Sequence, residues 1–296
     1  MLDKIQGALF GVAIGDALGG TTEFMSKEEI IVTYGKVTEI IGGGVWGLKP
    51  GETTDDTAMT LAVVKGIMVN SNNPIEEIGK QFLHWEHTNP PDIGITIRTT
   101  FANYKDNWFL AAEKTHQQLG GLSAGNGTLM RCLPIALAYL DIQKIEELSE
   151  LQSKMTHFDN LASEACIIYN RIAKRLLENE NIHTAIYSEI KNTMYEANYD
   201  EEPNCPPDGY VVHTMKWVLY WLLNSDSFED VVVGATNMGG DSDTIAAIAG
   251  GLKGIDVGFK QLPLKYTNNL LSRKDLLDYA EILNKIRGMH TTNLIE

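Results

Sequence analysis

The chain has 296 residues, 44% of them hydrophobic, and carries 39 Asp plus Glu against 24 Lys plus Arg, a formal charge of −15. That apolar content suffices for a core and excludes a disordered chain. The negative balance excludes a broad surface for nucleic acid or for an anionic membrane, since phosphate binding needs clustered Lys and Arg. Cys132, Cys166 and Cys205 are odd in number and far apart, so neither a zinc knuckle nor a disulfide framework is expected. No basic leader precedes an apolar stretch at the N-terminus. The most apolar segment, Tyr210 to Leu223, contains His213 and Lys216 and is too short to span a bilayer. A reducing, cytoplasmic setting without a membrane is the expectation.

In chain order, the first predicted helix has glycine every fourth residue: Gly7, Gly11, Gly15 and Gly19. Each glycine costs about 1 kcal/mol against alanine in a helix interior, so such a ridge implies close approach of another helix or of a ligand. Asp16 lies on the same helix and needs a partner if buried. Lys36 to Ile41 is at most one short extended piece. Thr53-Thr54-Asp55-Asp56-Thr57 opens the helix Ala58 to Val69. Asn73 and Pro74 predict an N-cap and first helical position, followed by Ile75, Ile78 and Phe82 at helical spacing. His84 and His87 fall on a solvated face. A helix is expected from Leu129 to Leu140, interrupted by Pro134. Asp159 caps a run with Leu161, Ala165, Ile168, Ile172 and Leu176 on one face. Near the end, Ser272 to Asp275 has capping-box form ahead of Leu276, Ala280 and Leu283. With no series of alternating strands, the fold class is all-α: one compact domain over 1–296 of about a dozen helices.

Two oxygen-rich clusters carry the chemistry. Thr and Asp are favoured at helix N-termini, so one Asp after Thr54 needs no explanation beyond capping. Asp55 and Asp56 together supply more oxygen than a cap requires. A second cluster, Gly239-Gly240-Asp241-Ser242-Asp243-Thr244, again opens a small-residue helix, Ile245 to Leu252. Carboxylates and hydroxyls suit hard divalent cations, and two such clusters read as halves of one Mg²⁺ or Mn²⁺ site with acid enough for two ions. Glu23 follows the first helix and can orient or deprotonate water. The turn Gly125-Asn126-Gly127 can place amides against a diphosphate. It is no dinucleotide fingerprint, lacking a preceding strand and the third glycine. Gly121 to Gly125 matches a nucleophile elbow by letter only. His157 lies at a helix junction that a ligand can reach, and Tyr210 opens an apolar helix where it can stack on a base. Aspartate-rich terpene-type chemistry wants D-D-x-x-D, and Met59 breaks that pattern.

These motifs together resemble a known family. GALFGVAIGDALGGTTEFM, GGGVWGLKPGETTDDTAMTL, AGNGTLMRCLPIAL, Thr156-His157, GYVVHTM and NMGGDSDTIAAIAGGLKG resemble the ADP-ribosylglycohydrolase family in the same order, from Gly7 to about Pro263. They are most similar to its bacterial dinitrogenase reductase-activating branch of ADP-ribosylarginine hydrolases. The resemblance implies an orthogonal multi-helix fold with a binuclear Mg²⁺/Mn²⁺ cleft. Metal ligands carry over to Thr54, Asp55, Asp56, Asp241, Asp243 and Thr244. Glu23, Asp56 and Asp243 become the candidate catalytic carboxylates. Ser123, Gly125, Asn126, Gly127 and His157 carry over to the distal ribose and phosphates, and Tyr210 to the adenosine side. Asp92, in Pro91-Asp92-Ile93-Gly94, matches the acid that meets the arginine guanidinium, with Gly94 beside it.

The implied reaction is hydrolysis of the N-glycosidic bond between ADP-ribose C1″ and an arginine side chain. The implied substrate is an ADP-ribosylated protein and the product ADP-ribose. Alternatives are another ADP-ribose linkage (serine, nucleic-acid base or small molecule) and a non-catalytic ADP-ribose-binding regulator. The chain departs from the branch at Ile95 to Arg98, which lacks a doubled arginine, and at Met238 and Tyr266. Glu196 to Pro207 has no counterpart in it.

Overall fold

The computed structural model describes residues 1–292; residues 293–296 of the expected domain lie outside the described residues. Helix α1 (Leu2–Gly19) is buried on nearly every side from Ile5 onward. After α2 (Lys27–Tyr34) and a glycine-rich hairpin come α3 (Asp55–Val69), α4 (Ile75–Glu86), α5 (Ile95–Asn103) and α6 (Trp108–Gln118). A 3-10 turn, Asn126–Thr128, leads into the short α7 (Leu133–Ala138), then α8 (Ile142–Lys154), α9 (Asn160–Leu177) and α10 (Ile182–Ile190). The chain closes with α11 (Val211–Leu223), α12 (Phe228–Thr236), α13 (Ser242–Val257), a 3-10 turn at Phe259–Gln261, α14 (Leu264–Thr267) and α15 (Arg273–Thr292). Strands are absent among the described residues; isolated bridges pair Gly43 with Leu48 and Gly125 with Tyr210.

The glycine ridge of α1 does meet another helix. A methyl group at Gly11 would stand 2.0 Å from the Gly250 carbonyl oxygen, and one at Gly7 would stand 2.1 Å from that of Gly254. At Gly15 and Gly19 the obstacles are Ala246 and Asp243. Contacts that descend in number along α13 as they ascend along α1 make the pair antiparallel, with backbones at van der Waals distance. The end of α1 therefore adjoins the start of α13. Helices α3, α9, α11, α12 and α15 pack around this pair. Like α1, α13 is buried almost throughout, which is why neither shows a polar stripe.

Several local expectations shift. Pro74, not Asn73, is the residue before α4, and no side chain caps that helix. Ser272 forms no capping box, because its hydroxyl is buried without a hydrogen-bond partner. Leu129 to Arg131 is turn and Cys132 precedes α7, so Pro134 stands in the first turn of that helix and does not interrupt a longer one. Proline lacks the amide that an interior helical position needs, and that sets the start. Lys36 to Ile41 pairs with no strand. Asp159 caps α9 as expected, accepting from the Leu161 amide at 2.9 Å.

Candidate metal and substrate cleft

Asp16 answers the question its position raised. It is fully buried on α1, and its carboxylate accepts from the backbone amides of Thr54 and Thr57, both at 2.9 Å, and from the Thr57 hydroxyl at 2.5 Å. It thereby fastens the N-terminus of α3 to α1. The glycine contact fastens the N-terminus of α13 to the same place. Two helix starts, each bearing acids that the helix dipole favours, converge because both are tied to the end of α1.

The converging side chains are those of the two clusters. Thr54 caps α3 and contacts Asp56 Oδ2 at 3.3 Å; Thr244 of α13 donates to the same oxygen at 3.2 Å. Asp56 Oδ1 and Asp243 Oδ1 are buried and have no hydrogen-bond partner. Native proteins rarely leave such atoms unpaired. Two orphaned carboxylate oxygens, on helix starts joined through the Thr244–Asp56 contact, are donors of the kind a hard divalent cation takes. Oxygens of Glu23, Asp92 and Asp243 also lie within 4.8 Å of one another, close enough to share an ion. Burial, then Asp92, pushes Glu23 up to about 8. Burial also raises Asp55, Asp56 and Asp243 well above the ordinary carboxylate range, with neighbouring acids adding to it. Asp241 is raised mainly by burial, opposed by the 2.6 Å hydrogen bond from Asn126 Nδ2. The residues fit a metal site, and the acids are costly without one.

Glu23 is positioned from outside the helices. Phe24 adopts φ 61°, in the left-handed region, and its amide donates to the Gly240 carbonyl at 2.7 Å. Gly240, at φ 66°, returns a bond to Met25. This pairing joins the loop after α1 to the loop before α13 and sets Glu23 beside Asp243, to which it is hydrogen-bonded. From the hairpin at Gly43 to Leu48, Trp46 Nε1 donates to Glu23 Oε2. Sequence reasoning passed over Trp46 and Phe24, whose roles depend on that loop pairing.

A cleft of about 480 Å³ is lined by Glu23, Asp55, Asp92, Gly94, Gly125, Asn126, Gly127, His157, Asp241, Asp243 and Thr244. Thr54 and Asp56 lie beneath it. The Gly125–Gly127 turn is held by the Gly125–Tyr210 bridge and by the Asn126 amide on the Gly209 carbonyl. A methyl at Gly127 would strike Ile97, and one at Gly125 would stand 3.1 Å from His157 Nε2, so both positions keep the space open. Two expected ligand residues are placed elsewhere. Ser123 is fully buried and bonded to His116 Nδ1 at 2.7 Å, outside the lining. Tyr210 is 37% exposed at the start of α11, also outside it.

A second cavity, of about 230 Å³, shares Asp55 and Asp92 with the cleft. Trp46 and Trp85 wall it, Glu52 lines it, and no basic side chain is among its lining residues. At the boundary the Asp55 and Asp92 carboxyls share a hydrogen bond.

Comparison with known proteins agrees with this architecture. Residues 1–292 match the family model described as ADP-ribosylglycohydrolase. The chain is 32% identical to the ADP-ribosyl-dinitrogen reductase glycohydrolase of Rhodospirillum rubrum, over 97% of this chain and 95% of that protein. It is 28% identical to an ADP-ribosylarginine hydrolase of Serratia proteamaculans, over 95% of this chain and 79% of that one. A solved structure described as an ADP-ribosylglycohydrolase-related protein complex superimposes with a TM-score of 0.83 at 26% identity. That match covers 96% of this chain and 98% of the other.

Proposed function

The chain belongs to the ADP-ribosylglycohydrolase family and is a hydrolase, and from that premise we propose that it cleaves the N-glycosidic bond between ADP-ribose C1″ and an arginine side chain of a modified protein. Two divalent cations, Mg²⁺ or Mn²⁺, would be held by Thr54, Asp55, Asp56, Asp241, Asp243 and Thr244. When bound, they supply Lewis-acid polarisation of water and ribose oxygens. The observation that carries this reading is the pair of orphaned buried oxygens on Asp56 and Asp243.

The chain's own residues supply the rest. Glu23, oriented by Trp46, takes the proton of the attacking water. Asn126, Gly125, Gly127 and His157 receive the ribose and diphosphate in the remainder of the cleft. As the water oxygen bonds to C1″ the C1″–N bond breaks, and the proton taken by Glu23 passes to the leaving nitrogen, so that arginine departs as a guanidinium held by Asp92. Gly94 leaves that side open, with nothing among the described residues within 4 Å of where its Cβ would be. The side cavity supports arginine over serine: its lining offers two indole faces and carboxylates, which suit a planar cation on an aliphatic stem. Ser123 and Tyr210 would act from behind the lining, Ser123 by holding the approach to the Gly125 turn and Tyr210 through its bridge to Gly125. A cytoplasmic setting belongs to the same proposal. Its support is the three free cysteines and the lack, among the described residues, of a helix long and apolar enough to cross a membrane.

The test is release of ADP-ribose from a defined ADP-ribosyl-arginine peptide with Mn²⁺, beside serine-linked and base-linked analogues. Release from the arginine peptide is the expected result. Release from none, with tight ADP-ribose binding, would replace the enzyme reading with that of a regulator.

A further inference from the structure

Arg131 is fully buried; among the described residues it makes no salt bridge, and the carboxylate whose charge reaches it is that of Asp55. Neutral groups hold its guanidinium: Gln152 Oε1 at 3.0 Å, the Gln152 carbonyl at 3.1 Å and the Thr156 hydroxyl at 2.8 Å. The Phe82 ring covers it at 4.3 Å. Burial brings its pKa down to about 9, so it remains a cation at neutral pH. A buried cation whose direct partners are all neutral is costly.

Thr156 Oγ1 also lies 2.9 Å from His157 Nδ1. A guanidinium only donates, so the Thr156 oxygen accepts from Arg131 and its single hydrogen is left for the imidazole. The hydroxyl keeps a second lone pair, but among the described residues Nδ1 of His157 is the acceptor within reach of its hydrogen. Spending that hydrogen there makes Nδ1 the acceptor and puts the ring proton on Nε2. Burial and the nearby Arg131 hold His157 down at about 3, so the ring stays neutral. The Nε2 edge faces Gly125 and Gly127 in the cleft lining.

We infer that Arg131 is a positioning residue that acts through Thr156 to present His157 Nε2–H as a fixed hydrogen-bond donor to an oxygen of the ligand's ribose–diphosphate. The inference rests on ADP-ribose occupying the cleft and adds the group that orients one of its contacts. It explains a buried cation on a chain of charge −15: the positive field lies beneath the diphosphate side of the cleft.

The experiment is ¹⁵N–¹H spectroscopy of the His157 ring in the intact protein, with and without ADP-ribose, beside ADP-ribose affinity by calorimetry. In the unaltered chain the Nε2–H tautomer should hold from pH 6 to pH 8, and its resonance should move on adding ADP-ribose. Thr156→Val should produce mixed tautomers and weaken ADP-ribose binding about tenfold, the scale of one lost hydrogen bond to a polar ligand. Thr156→Ser should restore both, which separates the relay from simple loss of packing. An Nδ1–H tautomer in the unaltered protein would overturn the inference. So would a resonance indifferent to ADP-ribose, or unchanged affinity in a folded Thr156→Val. Loss of arginine-linked hydrolysis with the tautomer and binding intact would instead count against the proposed reaction alone.

Discussion

Asp16 Oδ2 accepts both the backbone amide of Thr57, at 2.9 Å, and the Thr57 hydroxyl, at 2.5 Å. This joins the central helix α1 to the first turn of the helix that carries Asp55 and Asp56. Asp55 lines the cleft and Asp56 lies beneath it because a third acid, out of the cleft, grips their helix from behind.

Asp16→Asn should therefore act on stability and cation binding together. The amide has one acceptor oxygen where three donors converge; with that oxygen facing Thr57, its NH₂ is set against the Thr54 amide. A loss of about 2–4 kcal/mol in urea unfolding is expected, with weaker Mn²⁺ affinity by calorimetry. Unchanged values for both would show that α3 is positioned by something else.

Gly11→Ala should cost about 1–3 kcal/mol, because its Cβ would overlap the Gly250 carbonyl and the two backbones would have to separate. Gly288→Ala is the control: among the described residues nothing lies within 4 Å of where its Cβ would be, and alanine favours α15 by up to about 1 kcal/mol. Thermal unfolding of the two variants, shifted in opposite directions, checks the central packing.

Asp56→Asn and Asp243→Asn should each reduce hydrolysis by at least about 100-fold, a scale that even outer-shell changes reach at metal sites. Stability should respond with the opposite sign. In EDTA each variant should melt higher than the unaltered protein, having lost a buried unpaired charge, yet gain little on adding Mn²⁺. A variant that melts lower in EDTA would contradict the account of the orphaned oxygens.

Without metal, stability should fall as pH rises. Asp16 is pushed up to about 6 and Glu23 to about 8, both by burial first, and both lie above their unfolded values near 4. Between those limits the folded state binds more protons than the unfolded one, so the stability present at about pH 4 is lost as pH climbs through 6 and then 8. Melting in EDTA should be lower at pH 8 than at pH 6. Saturating Mn²⁺ should raise it more at pH 8, where the carboxylates no longer hold protons against the ion.

Glu52→Lys should raise KM for an arginine-linked peptide by about tenfold or more, since a like charge would face the guanidinium, and leave a serine-linked peptide little changed. Steady-state kinetics on the two peptides decides it. An equal effect on both would assign the side cavity no part in choosing the linkage.

Much of this was legible in the residues themselves. Asp55, Asp56, Asp241 and Asp243 stood out as candidate cation ligands by residue type and by their place at helix starts, because local capping rules account for only one acid at each. The glycine ridge announced a close helix neighbour, because four interior glycines are otherwise a pure cost. Those signals are local, and a sequence carries them without a fold. Only the tertiary structure decided that the neighbour of α1 is α13 in antiparallel register, which brings two clusters almost two hundred residues apart to one oxygen of Asp56. It alone joined Phe24 to Gly240 and hung Trp46 over Glu23, and it turned Ser123 away toward His116. It also placed the buried Arg131 against Thr156, behind the His157 ring of the cleft lining. Such facts depend on which surfaces pack together, and packing is a property of pairs of segments that no single stretch of residues contains.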